Sequence, residues 1–255
     1  MRALVLASAL AVAVMAAGDS VTRNADGAVI RGPRDARRLA LVFTGHEFAE
    51  GMPTILDELR RVGARGAFFL TGDFVRTPAF ARDVRRAIAD GHYVGPHSDR
   101  HLLYAAWDAP RPTLVSRAAF ERDVRDNLAA LGAFGIDPAR VTYWMPSYEW
   151  YNAEIVQWAA DLGLTTVDFT RGTRANADYM ADTDPKFVPS ARIAESILDY
   201  ERRDPDGLNG FILLMHVGAG PARREPLHLR LGGVLDELRR RGYRFVGIDE
   251  LLATR

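Results

Sequence analysis

The sequence predicts a single α/β domain in which parallel strands are joined by helices. Three observations carry this prediction, and the first two are that seven apolar, strand-like segments follow one another along the chain and that helical patterns lie between most of them. The third is the composition of the 255 residues, 48% hydrophobic and 26% charged, which is typical of a globular protein that buries a large core. Regular alternation of this kind forms either an open doubly wound sheet or a closed barrel.

The first seventeen residues, 1–17, have the features of a secretory signal peptide. Arg2 precedes an apolar stretch that ends in small residues at Ala17, and this stretch is short for a membrane span. Residues 18–37 are polar and predict a linker, followed by the domain at 38–255. We therefore expect a secreted or periplasmic protein with no stable membrane association after the signal is removed.

Strands and helices alternate from residue 39 onward. The strand segments are short and apolar, whereas the helical segments repeat apolar residues every three or four positions, as Phe120, Val124 and Leu128 do. The predicted strands are 39–43, 67–70, 93–95, 141–145, 165–169, 211–217 and 243–248. The predicted helices are 54–62, 78–89, 117–134, 153–162, 192–202 and 227–241.

Charge and composition exclude several functional classes. Lys plus Arg and Asp plus Glu each number 33, so no net charge attracts nucleic acid or an anionic membrane. No glycine-rich nucleotide-binding motif follows a predicted strand. Because the chain has no Cys, a bound metal would be held by His, Asp or Glu side chains.

Polar side chains collect where the predicted strands end, which is where α/β proteins place their functional residues. The histidines at these ends are His46, His97, His101 and His216, and the carboxylates are Glu47, Asp99, Glu149 and Asp168. The segment HSDRH puts His97 and His101 four positions apart, so on one helical turn both imidazoles would reach one divalent ion. Such pairs also occur on solvated helices, and both interpretations stay open from spacing alone.

The order of these segments is similar to that of a known family. LALVFTGHE, GHYVGPHSDRH, YWMPSYEWYN, VDF and ILLMH resemble the five motifs of the polysaccharide deacetylases, the NodB-homology carbohydrate esterases, over about residues 39–252. The resemblance implies a distorted (β/α)7 barrel that uses one divalent metal ion to remove N- or O-linked acetyl groups from a polysaccharide or oligosaccharide. It also implies that His97 and His101 are metal ligands and that His216 is the catalytic acid. Leu214 would line the acetyl pocket.

The sequence departs from the family at two of these motifs. The family's first motif carries two aspartates, the general base and a metal ligand, where this chain has Thr44 and Gly45. The arginine that holds the base in the third motif is replaced by Met145. Asp168 keeps a carboxylate that we expect to orient His216 and raise its pKa.

A rebuilt site would take its missing groups from nearby residues. We expect Glu47 as the third metal ligand, with His46 as its competitor, and a set so rich in histidine suits zinc. The general base would be Asp99 or Glu149, acting on a water whose pKa the ion lowers.

Aromatic residues near the predicted site indicate a carbohydrate substrate, because sugar rings pack their C–H faces on flat aromatic side chains. The predicted contacts are Tyr148, Trp150 and Tyr151. The long polar segment 168–185 either covers the site or is a solvated loop. Two alternative functions stay open: a degenerate barrel that binds glycan without hydrolysing it, and metal-dependent hydrolysis of another non-peptide C–N bond.

Overall fold

The structure, a computed structural model, describes residues 20–253, and the predicted signal peptide lies outside the described residues. None of the helices in this range is long and apolar enough to cross a membrane. The range begins with two short antiparallel strands, β1 (Thr22–Arg23) and β2 (Val29–Arg31).

These two strands differ from the polar linker predicted at 18–37. Val29 is only 2% exposed and forms a bridge with Val167, so the hairpin packs onto the domain. The contact joins residues far apart in the chain, and the local polarity of the segment gives no sign of it.

Seven parallel strands form the barrel that the family resemblance implied, and not the open sheet that the strand and helix pattern also allowed. They are β3 (Arg38–Gly45), β4 (Gly66–Leu70), β5 (Tyr93–Pro96), β6 (Tyr143–Trp144), β7 (Thr165–Thr166), β8 (Ile212–His216) and β9 (Arg244–Phe245). β3 is central, with β4 and then β5 on one side, β8 on the other, and β9 against its first residues.

The short strands β6 and β7 pair with each other and close the barrel. The backbone N–H of Met145 donates to the Pro96 carbonyl over 3.2 Å, which joins this pair to β5. The N–H of Thr170 donates to the Ile212 carbonyl over 3.0 Å and joins the pair to β8. The result is the predicted distorted (β/α)7 barrel.

The helices cover the outside of the barrel. They are α1 (Met52–Val62), α2 (Gly72–Arg76), α3 (Ala81–Ala89), α4 (Arg117–Gly132), α5 (Ala153–Asp161), α6 (Ser190–Arg203), α7 (Leu231–Arg240) and α8 (Ile248–Leu252). All six predicted helices are present with shifted ends. The additional helices α2 and α8 have five residues each, which is too short for an apolar period to be recognised.

The side chains of β3 alternate between two apolar clusters. Leu41 and Phe43 pack toward the surrounding helices, whereas Ala40 and Val42 pack with Phe69, Ile212 and Leu214 inside the barrel. Because successive strand residues point to opposite faces, Thr44 points to the same side as Ala40 and Val42. His216, which pairs with Thr44, continues the inward row of β8. Both side chains therefore lie at the mouth of the barrel.

Candidate active site

The mouth of the barrel holds a pocket of about 490 Å³, a volume in the range of small-ligand sites. The ends of β3, β5 and β8 and the turn after β6 supply its walls. Its polar lining includes Thr44, His46, His97, His101, Glu149 and His216. Glu47 lies on its rim as an exposed residue.

The two histidines of HSDRH are held by an irregular turn and not by the helical turn that we considered. Ser98 and His101 have φ angles of 74° and 55°, which no right-handed helix contains. The rings of His97 and His101 nevertheless lie close together, with centroids 5.2 Å apart. His97 Nδ1 lies 2.9 Å from the Met145 carbonyl oxygen and donates to it, which leaves His97 Nε2 free to accept.

Two buried polar side chains of α4 fix this turn. Asn127 Oδ1 accepts a hydrogen bond of 2.8 Å from the backbone N–H of His97. Four residues earlier, the Asp123 carboxylate accepts from the N–H groups of Asp99 and Arg100 over 3.0 and 3.2 Å. Neither residue was predicted, because an Asp or Asn that is buried in a helix has no signal that separates it from an exposed one.

Burial holds His97 and His101 in the neutral form. It is the main cause that lowers the pKa of His97 to about 3, against a hydrogen bond to the Met145 carbonyl that raises it. Burial and then the neighbouring imidazoles lower the pKa of His101 to about 2. His46 stacks on His101 with ring centroids 4.3 Å apart and planes inclined by 11°. Lone pairs in such nearly parallel planes do not converge on one ion.

The pocket does not present the predicted metal ligand set. Residues 20–253 contain no group of three His, Cys, Asp or Glu side chains placed to hold a metal ion. Of the two HSDRH histidines, His97 has the preparation expected of a ligand, with one ring nitrogen donating to a backbone carbonyl and the other free. The carboxylate nearest to it is that of Glu149, with Oε1 3.9 Å from His97 Nε2. As placed, these side chains do not fit a divalent ion.

The sequence predicts that Asp168 orients His216, but in the structure this role belongs to Asp178. Asp178 Oδ1 lies 2.6 Å from His216 Nδ1, and Oδ2 accepts from the His216 backbone N–H over 2.9 Å. Burial lowers the pKa of His216, but the Asp178 carboxylate and then Glu149 outweigh it, and the net shift is upward. With Nδ1 held in this way, the imidazole can carry a proton on Nε2 at the pocket.

Asp168 forms a buried pair with Tyr151 outside the pocket lining. The Tyr151 hydroxyl donates to Asp168 Oδ2 over 2.7 Å, and burial raises the pKa of Asp168 to about 6. Tyr151 is 3% exposed. The structure therefore corrects both predictions: Asp168 does not contact His216, and Tyr151 is not available to substrate because its hydroxyl serves a buried carboxylate.

Asp99 and Leu214 are also outside the pocket lining. The guanidinium of Arg76 donates to both Asp99 carboxylate oxygens over 2.7 and 2.9 Å, and the carboxylate lies so close to Gly72 that a Cβ there would be 1.8 Å from Oδ1. Asp99 is thus a structural ion-pair partner and not the predicted base. Leu214 is 1% exposed and packs in the barrel interior beneath the pocket, so it does not line it.

Tyr148 and Glu149 do reach the pocket. They occupy the turn after β6 with φ angles of 62° and 49°, a left-handed backbone that costs energy for residues other than glycine and is common at functional sites. Burial raises the pKa of Glu149 to about 7. A carboxylate with such a pKa is suited to accept a proton near neutral pH.

Thr44 and Gly45 stand where the resembling family has its two aspartates. Thr44 is 2% exposed and lines the pocket, and its hydroxyl has no hydrogen-bond partner among the described residues. A Cβ on Gly45 would lie 2.8 Å from side-chain atoms of Leu70 and Val217. No carboxylate fits at Gly45, so the surrounding core is packed around the glycine.

Aromatic side chains surround the pocket mouth. Phe48, Trp107, Tyr148 and Tyr179 line it and are exposed by 37%, 54%, 43% and 50%. Exposed rings gathered at a pocket are typical of a ligand-binding surface. Only Tyr148 was among the predicted substrate contacts; Trp150 lies behind the lining, against Trp107.

Comparison with known proteins gives a consistent result. A family model described as "Polysaccharide deacetylase" matches residues 31–167. The peptidoglycan-N-acetylglucosamine deacetylase PgdA of Listeria monocytogenes is 26% identical over 221 residues, which are 84% of this chain and 39% of the Listeria protein. A peptidoglycan-N-acetylglucosamine deacetylase of Bacillus cereus is 26% identical over 220 residues, 86% of this chain and 90% of that protein. The chain thus spans well under half of the Listeria relative's length.

The fold is also found among solved structures. A CE4 family pseudoenzyme from Bacillus anthracis superposes with a TM-score of 0.69 at 19% identity, over 91% of this chain and 70% of that chain. At this level of identity the match supports the barrel fold.

Proposed function

The chain belongs to the polysaccharide deacetylase family, and from this premise we propose that it is a hydrolase that removes acetyl groups from an N-acetylated glycan with a rebuilt acid/base site. The proposal extends to the relatives' substrate class, a glycan that contains N-acetylglucosamine. The signal-like residues 1–17 support a place of action outside the cytoplasm.

The observation that carries the proposal is the contact between His216 and Asp178 at the barrel mouth. A carboxylate 2.6 Å from Nδ1 keeps this imidazole protonated to higher pH, which is the requirement for a general acid. Glu149 lines the same pocket with a pKa raised to about 7 by burial. A barrel that only bound glycan would need neither group.

The proposed reaction divides the chemistry among four side chains. Glu149 accepts a proton from the water that attacks the acetyl carbonyl carbon. The Thr44 hydroxyl donates a hydrogen bond to the carbonyl oxygen as it becomes negatively charged. His216 gives its proton to the nitrogen as the C–N bond breaks, so that acetic acid and a free amine leave the site. Glu149 then loses its proton to solvent and His216 takes one up, which restores both groups. Asp178 stays ionised and stabilises the protonated imidazole.

Acetate release tests this proposal. Purified protein is incubated with oligomers of N-acetylglucosamine, with and without added divalent ions, and free acetate is measured. We expect release by the wild type and a loss of about 10²–10⁴-fold in His216→Ala, the usual contribution of a general acid. His228→Ala is the matched control, because His228 does not line this pocket and its rate should stay close to that of the wild type.

The divalent ion implied by the family resemblance, with zinc as the expected metal, stays a prediction. It is tested by stripping the protein with a chelator, dialysing it against zinc and measuring the bound metal. The resemblance predicts one ion per chain, lost in His97→Ala and in His101→Ala. Wild-type protein that binds no zinc would contradict this prediction of the resemblance. That result would agree with the stacked rings of His46 and His101, whose lone pairs do not converge on one ion.

A degenerate glycan-binding barrel is the second candidate. It is favoured by Thr44 and Gly45 at the positions of the family's aspartates. Oligomer binding by the wild type without acetate release would support it.

A further inference from the structure

Trp107 is the most exposed aromatic side chain at the pocket and belongs to none of the family-like motifs. It lies in the loop between β5 and α4, and 54% of its surface is accessible. A large apolar ring on the surface is costly to hydrate, and such a ring at a pocket rim is typical of a binding contact. The reaction proposed above gives it no part.

The indole of Trp107 is held in place by its neighbours. Its ring centroid lies 5.3 Å from that of Trp150 and 5.6 Å from that of Tyr148, nearly edge-on to the latter at 80°. Trp150 Nε1 donates to the Ala106 carbonyl over 3.0 Å, so Trp150 holds the backbone next to Trp107. We call Trp107, Trp150 and Tyr148 the aromatic platform.

Arg111 fastens the same loop from its other end. Its guanidinium lies 5.5 Å from the Trp150 ring centroid and donates to both oxygens of Asp26 over 3.0 Å. The Arg111–Asp26 ion pair ties the loop to the N-terminal hairpin. An anchored ring loses little conformational freedom when a ligand stacks on it, so more of the contact energy appears as affinity.

Tyr148 is the ring of the aromatic platform that contacts a pocket histidine. The ring centroids of Tyr148 and His101 are 4.2 Å apart. Tyr148 also contacts Trp107, which has no ring contact with His101. A sugar whose acetyl group enters the pocket would thus lie beside Tyr148. The next sugar along the glycan would extend over Trp107.

We propose that Trp107, backed by Trp150, forms a subsite for the sugar unit adjacent to the one that is deacetylated. The ligand of this pocket is therefore an oligosaccharide of N-acetylated hexosamine, bound with the C–H face of its second ring on the indole. This proposal rests on the proposed function, which sets the position of the first sugar. The subsite itself predicts that affinity increases with the length of the glycan.

Calorimetric titration with N-acetylglucosamine and with its tetramer tests this claim. For the wild type we expect the tetramer to bind about tenfold more tightly than the monosaccharide, as one added aromatic contact would give. Trp107→Ala should reduce that ratio to about one, and Trp107→Phe should keep most of it. Leu114→Ala is the matched control: Leu114 is also 54% exposed in the same loop but does not line the pocket, so its ratio should equal that of the wild type.

Three results would overturn the subsite: an unchanged ratio in folded Trp107→Ala, an equal loss in Leu114→Ala, or a wild type that binds no tetramer. Acetate release is measured on the same samples. A wild type that shows the length dependence without releasing acetate would refute the proposed function and leave the subsite standing. Acetate release by the wild type, together with an unchanged ratio of tetramer to monosaccharide affinity in Trp107→Ala, would refute the subsite and leave the proposed function standing.

Discussion

Replacing Thr44 by valine is predicted to stabilise the protein and to impair its catalysis. The Thr44 hydroxyl is buried at the pocket and has no hydrogen-bond partner among the described residues. A buried polar group without a partner costs about 1–3 kcal/mol of folding free energy. Valine removes the hydroxyl and nearly keeps the shape of the side chain.

The size of both effects follows from the usual contributions of such groups. The free energy of unfolding should rise by about 1–3 kcal/mol, which raises Tm by roughly 2–12 °C for a chain of this length. In the proposed reaction the same hydroxyl donates to the developing oxyanion. Loss of one such donor lowers kcat by about 10²–10³-fold.

Urea unfolding followed by circular dichroism gives the first quantity, and acetate release gives the second. Thr71→Val is the matched control, because Thr71 is equally buried but its hydroxyl accepts from the Phe74 backbone N–H over 3.0 Å as a helix cap. Loss of a cap should lower the free energy of unfolding by about 1 kcal/mol. The two substitutions are therefore expected to change stability in opposite directions.

Two outcomes would contradict these roles of the Thr44 hydroxyl. If Thr44→Val destabilises the protein as Thr71→Val does, the hydroxyl of Thr44 is satisfied in solution. If Thr44→Val stabilises the protein but leaves kcat unchanged, the hydroxyl does not contact the reacting oxygen.

Two further predictions concern pH. Asp178 raises the pKa of His216, so in Asp178→Asn the high-pH limb of the kcat/KM profile should move to lower pH, and a profile that coincides with that of the wild type would exclude this role. Burial raises the pKa of Glu149 to about 7, so its contribution to stability is present below the ordinary carboxyl pKa and is lost as pH rises through 7. The free energy of unfolding of Glu149→Gln should therefore exceed that of the wild type at pH 8, by up to about 3 kcal/mol, but not at pH 4. Urea unfolding in the presence of a chelator measures this difference. An equal difference at both pH values would contradict the prediction.

Much of the fold can be predicted because its strands are apolar runs and its longer helices have an apolar period. The ends of the strands then indicate which side chains meet at the mouth. His97 and His216 follow from that rule, since both lie at the ends of strands and both line the pocket. Glu149 also reaches the pocket, although its orientation depends on a turn with left-handed backbone angles that the sequence does not predict.

The partner of His216 could not be predicted from strand ends. Asp168 comes soon after β7, whereas Asp178 lies in an irregular loop, just after a short helical turn at 175–177. That turn packs against β8 and brings Asp178 to His216. Several aspartates of this loop have similar polar neighbours, and only tertiary packing selects one of them.

The burial of two polar residues of α4 could not be predicted from the sequence for a related reason. Asp123 and Asn127 are four positions apart and look like the solvated residues of an amphipathic helix. They are instead 6% and 0% exposed and hold the backbone of the HSDRH turn. Their partners in that turn lie more than twenty residues away, so the local pattern contains no trace of these contacts.

The proposed hydrolysis is best tested by measuring acetate release from the N-acetylglucosamine tetramer together with the affinity for this tetramer. We expect the wild type to bind the tetramer and release acetate, and we expect His216→Ala to bind it with a similar Kd but to release acetate at least a hundredfold more slowly. A wild type that binds the tetramer but releases no acetate, with or without added divalent ions, would contradict the proposed hydrolysis.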